Sequence, residues 1–216
     1  MARDQHSEQP FYVVHPLHAW DEGEEVVIWA PLGSQLREGK VADPDQVIFG
    51  ADDQMRMSEL RLNTRSGVMT VTEIDDTLHS EFCCIRQDLV ATDRVRYGYA
   101  GFMEERDFNF RGCSKWDLQQ KCLVASIRYP GNVVGEEPVF IPYGGPSCDD
   151  GFIATMWVDQ AERWAELVFF DAKTFASEPV ARVRLPRRVP HGFHGLWLGE
   201  QDLRSHLEST GLRPPG

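Results

Sequence analysis

The sequence predicts an all-β protein built as a propeller, and three observations carry that prediction. Most apolar segments are short and several alternate with a period of two; long helical patterns are scarce; and one hairpin shape recurs at a fixed interval. The clearest strand candidates are E-E-V-V-I-W-A at 24–30, Q-V-I-F-G at 46–50 and R-V-R-Y-G-Y-A at 94–100. They are rich in β-branched and aromatic residues and bounded by Gly, Pro and Asp, as strands are. The recurring shape is strand, polar turn, strand: S-E-L-R-L-N-T-R-S-G-V-M-T-V-T-E-I, G-C-S-K-W-D-L-Q-Q-K-C-L-V-A-S-I-R, and A-E-L-V-F-F-D-A-K-T-F-A-S-E-P-V-A-R-V-R-L. The polar residues that end the first strands are Asn63, Asp117 and Asp171, each 54 residues after the one before. A period near 50 residues is that of propeller blades, four-stranded sheets around a central axis. A β-sandwich with regular hairpins would carry the same strands; the equal spacing favours the propeller. The one helix expected is G-E-Q-D-L-R-S-H-L-E-S-T at 199–210, with Leu203 and Leu207 spaced i,i+4. Residues 201–216 are accordingly read as a short helix and a frayed tail.

Composition narrows the function classes. With 216 residues, 42% hydrophobic and 26% charged, the chain is long enough for a sizeable core and is globular in type. A net charge of −12 argues against nucleic acid as a partner, because phosphates must be neutralised by basic side chains. It gives no attraction to an anionic membrane surface either. No apolar run approaches the length of a bilayer span, and the first ten residues show neither a signal-peptide core nor the composition of a transit peptide. The five cysteines, Cys83, Cys84, Cys113, Cys122 and Cys148, are odd in number and lack C-x-x-C spacing, so they read as reduced thiols.

Two histidine pairs stand out among the seven histidines: H-P-L-H at His15 and His18, and H-G-F-H at His191 and His194. Neutral imidazole is a common metal ligand. H-x-x-H alone is weak evidence for a metal, since it lacks the glutamate and the helical spacing of H-E-x-x-H. Residues three apart in a strand point to opposite faces, so at most one of each pair would face a shared metal. His6 and His206 read as solvated, and His79 as a turn or pocket residue.

The stretches E-E-P-V-F-I-P, D-D-G-F-I-A-T-M and V-P-H-G-F-H-G, in that order, resemble the C-terminal part of the carotenoid cleavage oxygenases. The resemblance covers essentially the whole chain and is strongest over 135–195. It implies a seven-bladed propeller with one Fe(II) on its axis, held by four histidines from different blades. Carried over residue by residue, it makes His194 of G-F-H-G one ligand. His15, five residues before Trp20 in H-P-L-H-A-W, is another. It places Glu137 of E-P-x-F, and Glu81 of H-S-E-F, behind the ligands, each taking up the second N–H of an imidazole. His18 and His191 then line the pocket or pack near it. Phe140, Phe193 and Trp197, with Phe11 and Phe82, are the aromatics closest in sequence to these motifs and are candidates for a substrate tunnel; ordinary core packing is the competing reading.

The chemistry implied by the resemblance is cleavage of one C=C bond of a carotenoid or apocarotenoid with O2, giving two carbonyl products. The metal does the oxygen chemistry and the protein supplies position and a dry, apolar tunnel. Members of the family are more than twice this length. The expectation is therefore a C-terminal portion, residues 1–216 forming about three blades and a closing strand, with two ligand histidines and one glutamate supplied from upstream. A fragment of that kind leaves strand edges open, binds iron weakly and does not turn over carotenoid by itself. The alternatives are a non-catalytic member that binds an apocarotenoid or a protein partner, and a member that isomerises and hydrolyses retinyl esters. The expected compartment is a plastid in a plant or alga and the cytoplasm otherwise, with membrane contact expected only through regions N-terminal to this chain.

Overall fold

A computed structural model describes residues 11–34, 54–104, 109–190 and 192–210. The described chain is all-β apart from one short 3-10 turn at Gln87–Leu89 and one helix. The strands are β1 (Phe11–Val13), β2 (His18–Glu22), β3 (Glu25–Ser34), β4 (Arg56–Asn63), β5 (Met69–Glu73), β6 (His79–Cys84), β7 (Tyr97–Met103), β8 (Phe110–Asp117), β9 (Cys122–Arg128), β10 (Val133–Gly135), β11 (Val139–Pro142), β12 (Gly151–Asp159), β13 (Ala165–Asp171) and β14 (Ala181–Arg184). The helix, α1, runs Glu200–Thr210 and buries none of its residues. The strand expected at 24–30 is β3, and the one expected at 94–100 begins three residues later, as β7. The strand expected at 46–50 lies outside the described residues.

All pairing is antiparallel, and it resolves into three four-stranded meanders. The first is β2-β3-β4-β5, the second β6-β7-β8-β9 and the third β11-β12-β13-β14. β1 extends the first along β3, from Phe11 opposite Ser34 to Val13 opposite Leu32. β10 stitches the second meander to the third, pairing with β12 over three residues and touching β8 through Gly135 and Phe110.

The 54-residue spacing has a local cause. Asn63, Asp117 and Asp171 close the same turn in the three meanders. The Asn63 side-chain oxygen accepts the N–H groups of Arg65 (3.1 Å) and Ser66 (2.8 Å). Asp117 accepts those of Gln119 (3.0 Å) and Gln120 (2.9 Å), and Asp171 those of Lys173 (3.1 Å) and Thr174 (2.7 Å). Asn and Asp do this because their short side chains reach a backbone amide two or three residues on. The repeat is the same turn made three times between the third and fourth strands of a meander.

Successive meanders pack face to face, and the core lies between them. Leu17, Trp29 and Met57 of the first meet Ala100, Phe102 and Trp116 of the second. Tyr99, Cys113 and Ile127 of the second meet Phe140, Ile153, Val168 and Phe170 of the third. One lysine reaches across each junction. Lys121 Nζ lies 2.7 Å from Glu59 of β4. The buried Lys115 Nζ lies 3.0 Å from Asp149, of the D-D-G motif, and donates to the Ala172 (2.8 Å) and Lys173 (3.1 Å) carbonyls. A buried ammonium is tolerated only when paired and fully hydrogen-bonded, and Lys115 is both. D-D-G is thus a joint between the second and third meanders.

Candidate metal centre

The site forms where the first strand of each meander begins. His15 sits in the bend just before β2, Glu81 is the third residue of β6, and Glu137 lies two residues before β11. His194 arrives on the irregular segment that follows β14. Residues separated by most of the chain thus meet at one end of three adjacent first strands.

The His15 and His194 rings lie edge to face with centroids 4.9 Å apart. The His15 Nδ1–H donates to Glu81 Oε2, which also accepts the Phe82 backbone N–H at 3.0 Å. Glu81 is 2% exposed, and its other oxygen, Oε1, has no hydrogen-bond partner among the described residues. Burial pushes the Glu81 carboxyl above its ordinary range, against the opposing pull of His15 and of the Phe82 amide. Glu137 holds the second ring: its Oε1 is 3.3 Å from His194 Nδ1, and its Oε2 accepts the Gly195 N–H at 2.6 Å. A carboxylate can only accept from an imidazole, so each Nδ1 carries its hydrogen and each Nε2 keeps a free lone pair.

Phe82 packs beside both imidazoles. Its ring centroid is 4.6 Å from His15, 5.0 Å from His194 and 5.3 Å from Phe193. It has φ +50°, and the pairing of β6 with β7 slips between Glu81 and Cys83. An aromatic residue in the left-handed region costs about 1–2 kcal/mol. The bulge interrupts strand alternation, so Glu81 meets His15 and Phe82 packs against both histidines within one strand.

The other candidate residues fall in different places. His18 is buried, with Nε2 2.8 Å from the Thr92 carbonyl and its ring stacked on Trp20. Burial lowers its pKa, partly offset by that hydrogen bond. His18 and Phe140 border a cavity of about 450 Å³ that runs past Pro16, Cys83, Glu137 and Gly195. Phe140 is also packed against Tyr99 in the core. Phe193 is largely exposed beside the His194 ring, Trp197 is exposed with no ring contact to either imidazole among the described residues, and Phe11 packs with the small cluster of Ala30, Leu32 and Leu60. His191 lies outside the described residues. All five cysteines are free, and burial pushes the Cys83 and Cys84 thiols far above their ordinary range, which favours the thiol over the thiolate in the metal-free chain.

Two imidazoles with oriented, unprotonated Nε2 atoms and carboxylates behind them suit a first-row divalent metal, Fe(II) among them. Among the described residues no group of three or more His, Cys, Asp or Glu side chains is arranged to hold a metal.

Fold and site together define an antiparallel β protein with carboxylate-oriented imidazoles at one end of its meanders. Residues 2–199 match the family described as retinal pigment epithelial membrane protein, and the chain belongs to that family, the carotenoid cleavage oxygenases. It is 31% identical over 205 residues to the chromoplastic zeaxanthin 7,8(7',8')-cleavage dioxygenase of Crocus sativus, covering 90% of this chain and 53% of that protein. It is 30% identical over 201 residues to a carotenoid cleavage oxygenase of Mycobacterium tuberculosis, covering 88% of this chain and 38% of that one. Among solved structures, cobalt-substituted Synechocystis ACO matches with a TM-score of 0.75 at 20% identity, over 87% of this chain and 39% of the other. The chain thus spans about half, or less, of the length of these relatives.

Proposed function

We propose that this chain supplies half of the Fe(II) site of an oxygenase that cleaves one C=C bond of a carotenoid or apocarotenoid with O2, giving two carbonyl products. The observation that carries the reading is the matched pair of contacts, His15 on Glu81 and His194 on Glu137, with the two rings 4.9 Å apart. In this reading the three meanders are blades of a seven-bladed propeller, and the remaining two imidazoles and one carboxylate come from outside them.

His15 and His194 would hold the metal through Nε2. Bound there, Fe(II) supplies activation of dioxygen beside the polyene. Glu81 and Glu137 keep the hydrogen on each Nδ1 and so keep each Nε2 available to the metal. Phe82 and Phe193 present apolar ring faces beside the imidazoles, where a hydrocarbon chain would be held by dispersion and water displaced. His18, neutral and tied to the Thr92 carbonyl, contributes to the wall of the cavity rather than to the metal. Plant relatives are named chloroplastic or chromoplastic, which supports a plastid location if the source is a plant or alga.

Co(II), which the cyanobacterial relative accepts, is a convenient probe. Titration of the 216-residue chain should show weak one-to-one binding that is lost in His15→Ala and in His194→Ala and kept in His18→Ala. Binding indifferent to His15 and His194 would refute the assignment. With Fe(II), an apocarotenoid and 18O2, the chain by itself should give no labelled carbonyl product; stoichiometric turnover would show that the site is whole.

A further inference from the structure

We infer that Glu136 is a positioning residue for the His194 imidazole: together with Glu137 it forms a clamp of two adjacent carboxylates that grips the 192–195 segment at both ends. The inference rests on the metal reading above and deepens it.

The Gly192 N–H donates to Glu136 Oε1 at 2.7 Å, and the Gly195 N–H donates to Glu137 Oε2 at 2.6 Å. Phe193 and His194 lie between these two anchored amides. Their rings also touch Phe82 and His15, and His194 Nδ1 faces Glu137. Residues 192–199 form no strand or helix, and Phe193 and Leu196 are 62% and 64% exposed, so burial in a core does not hold the segment. Short amide-to-carboxylate bonds do, since charge-assisted hydrogen bonds are about twice as strong as neutral ones.

The clamp is itself fixed to the sheet. The Glu136 N–H donates to the Met156 carbonyl at 3.1 Å, and the Thr155 hydroxyl donates to the Glu136 carbonyl at 2.9 Å. Both partners belong to β12, so the backbone that carries the carboxylate cannot drift. A following proline disfavours helical backbone at Glu137 and narrows its range toward extended conformations. Glycine at 192 allows the close approach: a Cβ there would lie 2.7 Å from Glu136 Oε2. Glu137 alone would fasten the ring at Nδ1 and the backbone at Gly195, and would leave the Gly192 end of the segment loose. Glu136 removes that freedom without touching the imidazole.

The test compares wild-type chain with Glu136→Ala, Glu136→Gln and Gly192→Ala. It reads Co(II) affinity, exchange of the Gly192 amide by NMR, and the unfolding midpoint as a check on folding. Glu136→Ala is expected to weaken Co(II) binding about tenfold, the lower end for groups that orient a ligand from behind, and to speed Gly192 exchange. Glu136→Gln keeps an acceptor oxygen and should restore most of both. Gly192→Ala pushes against the flexible end of the Glu136 side chain and should reproduce the alanine result in a folded protein. Co(II) affinity unchanged in both Glu136→Ala and Gly192→Ala overturns the clamp and leaves the metal reading standing. If the wild-type chain takes up no Co(II), the metal reading fails, and exchange alone decides the clamp: faster exchange in Glu136→Ala supports it and unchanged exchange overturns it.

Discussion

Glu137→Gln should weaken metal binding by inverting the His194 tautomer. Glu137 has two tasks for two oxygens: Oε2 takes the Gly195 amide at 2.6 Å and Oε1 faces His194 Nδ1 at 3.3 Å. Glutamine has one oxygen. The shorter, stronger bond claims it, and the amide NH2 then faces the imidazole. An NH2 cannot face an N–H, so Nδ1 gives up its hydrogen and accepts, which moves the hydrogen to Nε2 and takes away the lone pair that a metal needs. Loss of an outer partner costs 10–100-fold in affinity. The His194 side chain is 49% accessible, so water can stand in for part of what is lost. About tenfold, or ~1.4 kcal/mol, is therefore expected. Two measurements check this: Co(II) titration for the affinity, and imidazole 15N shifts of His194 in the metal-free chain for the tautomer. An unchanged tautomer in Glu137→Gln would refute the reasoning even if affinity fell, because the loss would then have some other origin.

Three further outcomes follow from the same structure. Burial raises the Glu81 carboxyl above its ordinary value of 4.5, so the folded state favours the protonated form: its contribution is fully present below 4.5 and is lost as pH rises through the folded value. The stability of Glu81→Gln relative to wild type should consequently increase between pH 4 and pH 7 in urea unfolding, and a flat difference would contradict it. His18 shows the opposite behaviour. Its pKa is lowered from 6.5 by burial, so its stabilising contribution is present above 6.5 and lost as pH falls through the folded value; His18→Asn should flatten wild-type acid sensitivity in that window. Among the turn residues, Asp117→Ala removes two amide contacts and a bifurcated ion pair to Arg96 at 2.8–2.9 Å from a nearly buried carboxylate. It should cost about 2–3 kcal/mol, against about 0.5–1.5 for Asn63→Ala at a half-buried, uncharged side chain; equal losses in thermal unfolding would show that the ion pair contributes nothing.

The sequence reveals the strands and the repeat because both have local causes. Alternating apolar residues must face a core, and a turn closed by Asn or Asp must be made again in each meander, so Asn63, Asp117 and Asp171 keep their spacing without any tertiary information. The site is legible only in part. The strand argument, which applies only where both histidines of a pair lie in one strand, allowed at most one of H-P-L-H to face a shared metal; His15 lies in the bend before β2 and only His18 belongs to the strand, so the argument does not apply to this pair. What separates them is the Thr92 carbonyl, 74 residues away in sequence, which no local pattern predicts. The resemblance named Glu81 and Glu137, but the left-handed Phe82 that sets Glu81 toward His15 is a property of β6 and β7 paired.

Glu136 shows the limit most sharply. In E-E-P the two carboxylates are alike as residues, and a motif built around the second makes the first look like a surface charge. Their difference comes from β10, whose Gly135 pairs with Trp157 and continues into the bond between the Glu136 N–H and the Met156 carbonyl. That pairing fixes where the backbone leaves the sheet. The distance from there to the loop after β14 lets one carboxylate reach Gly192 and the next reach Gly195. The loop between them carries a histidine and almost no buried surface. A ligand on such a loop is placed by the groups that grip its backbone, and both of those groups come from two consecutive residues at the start of the third meander.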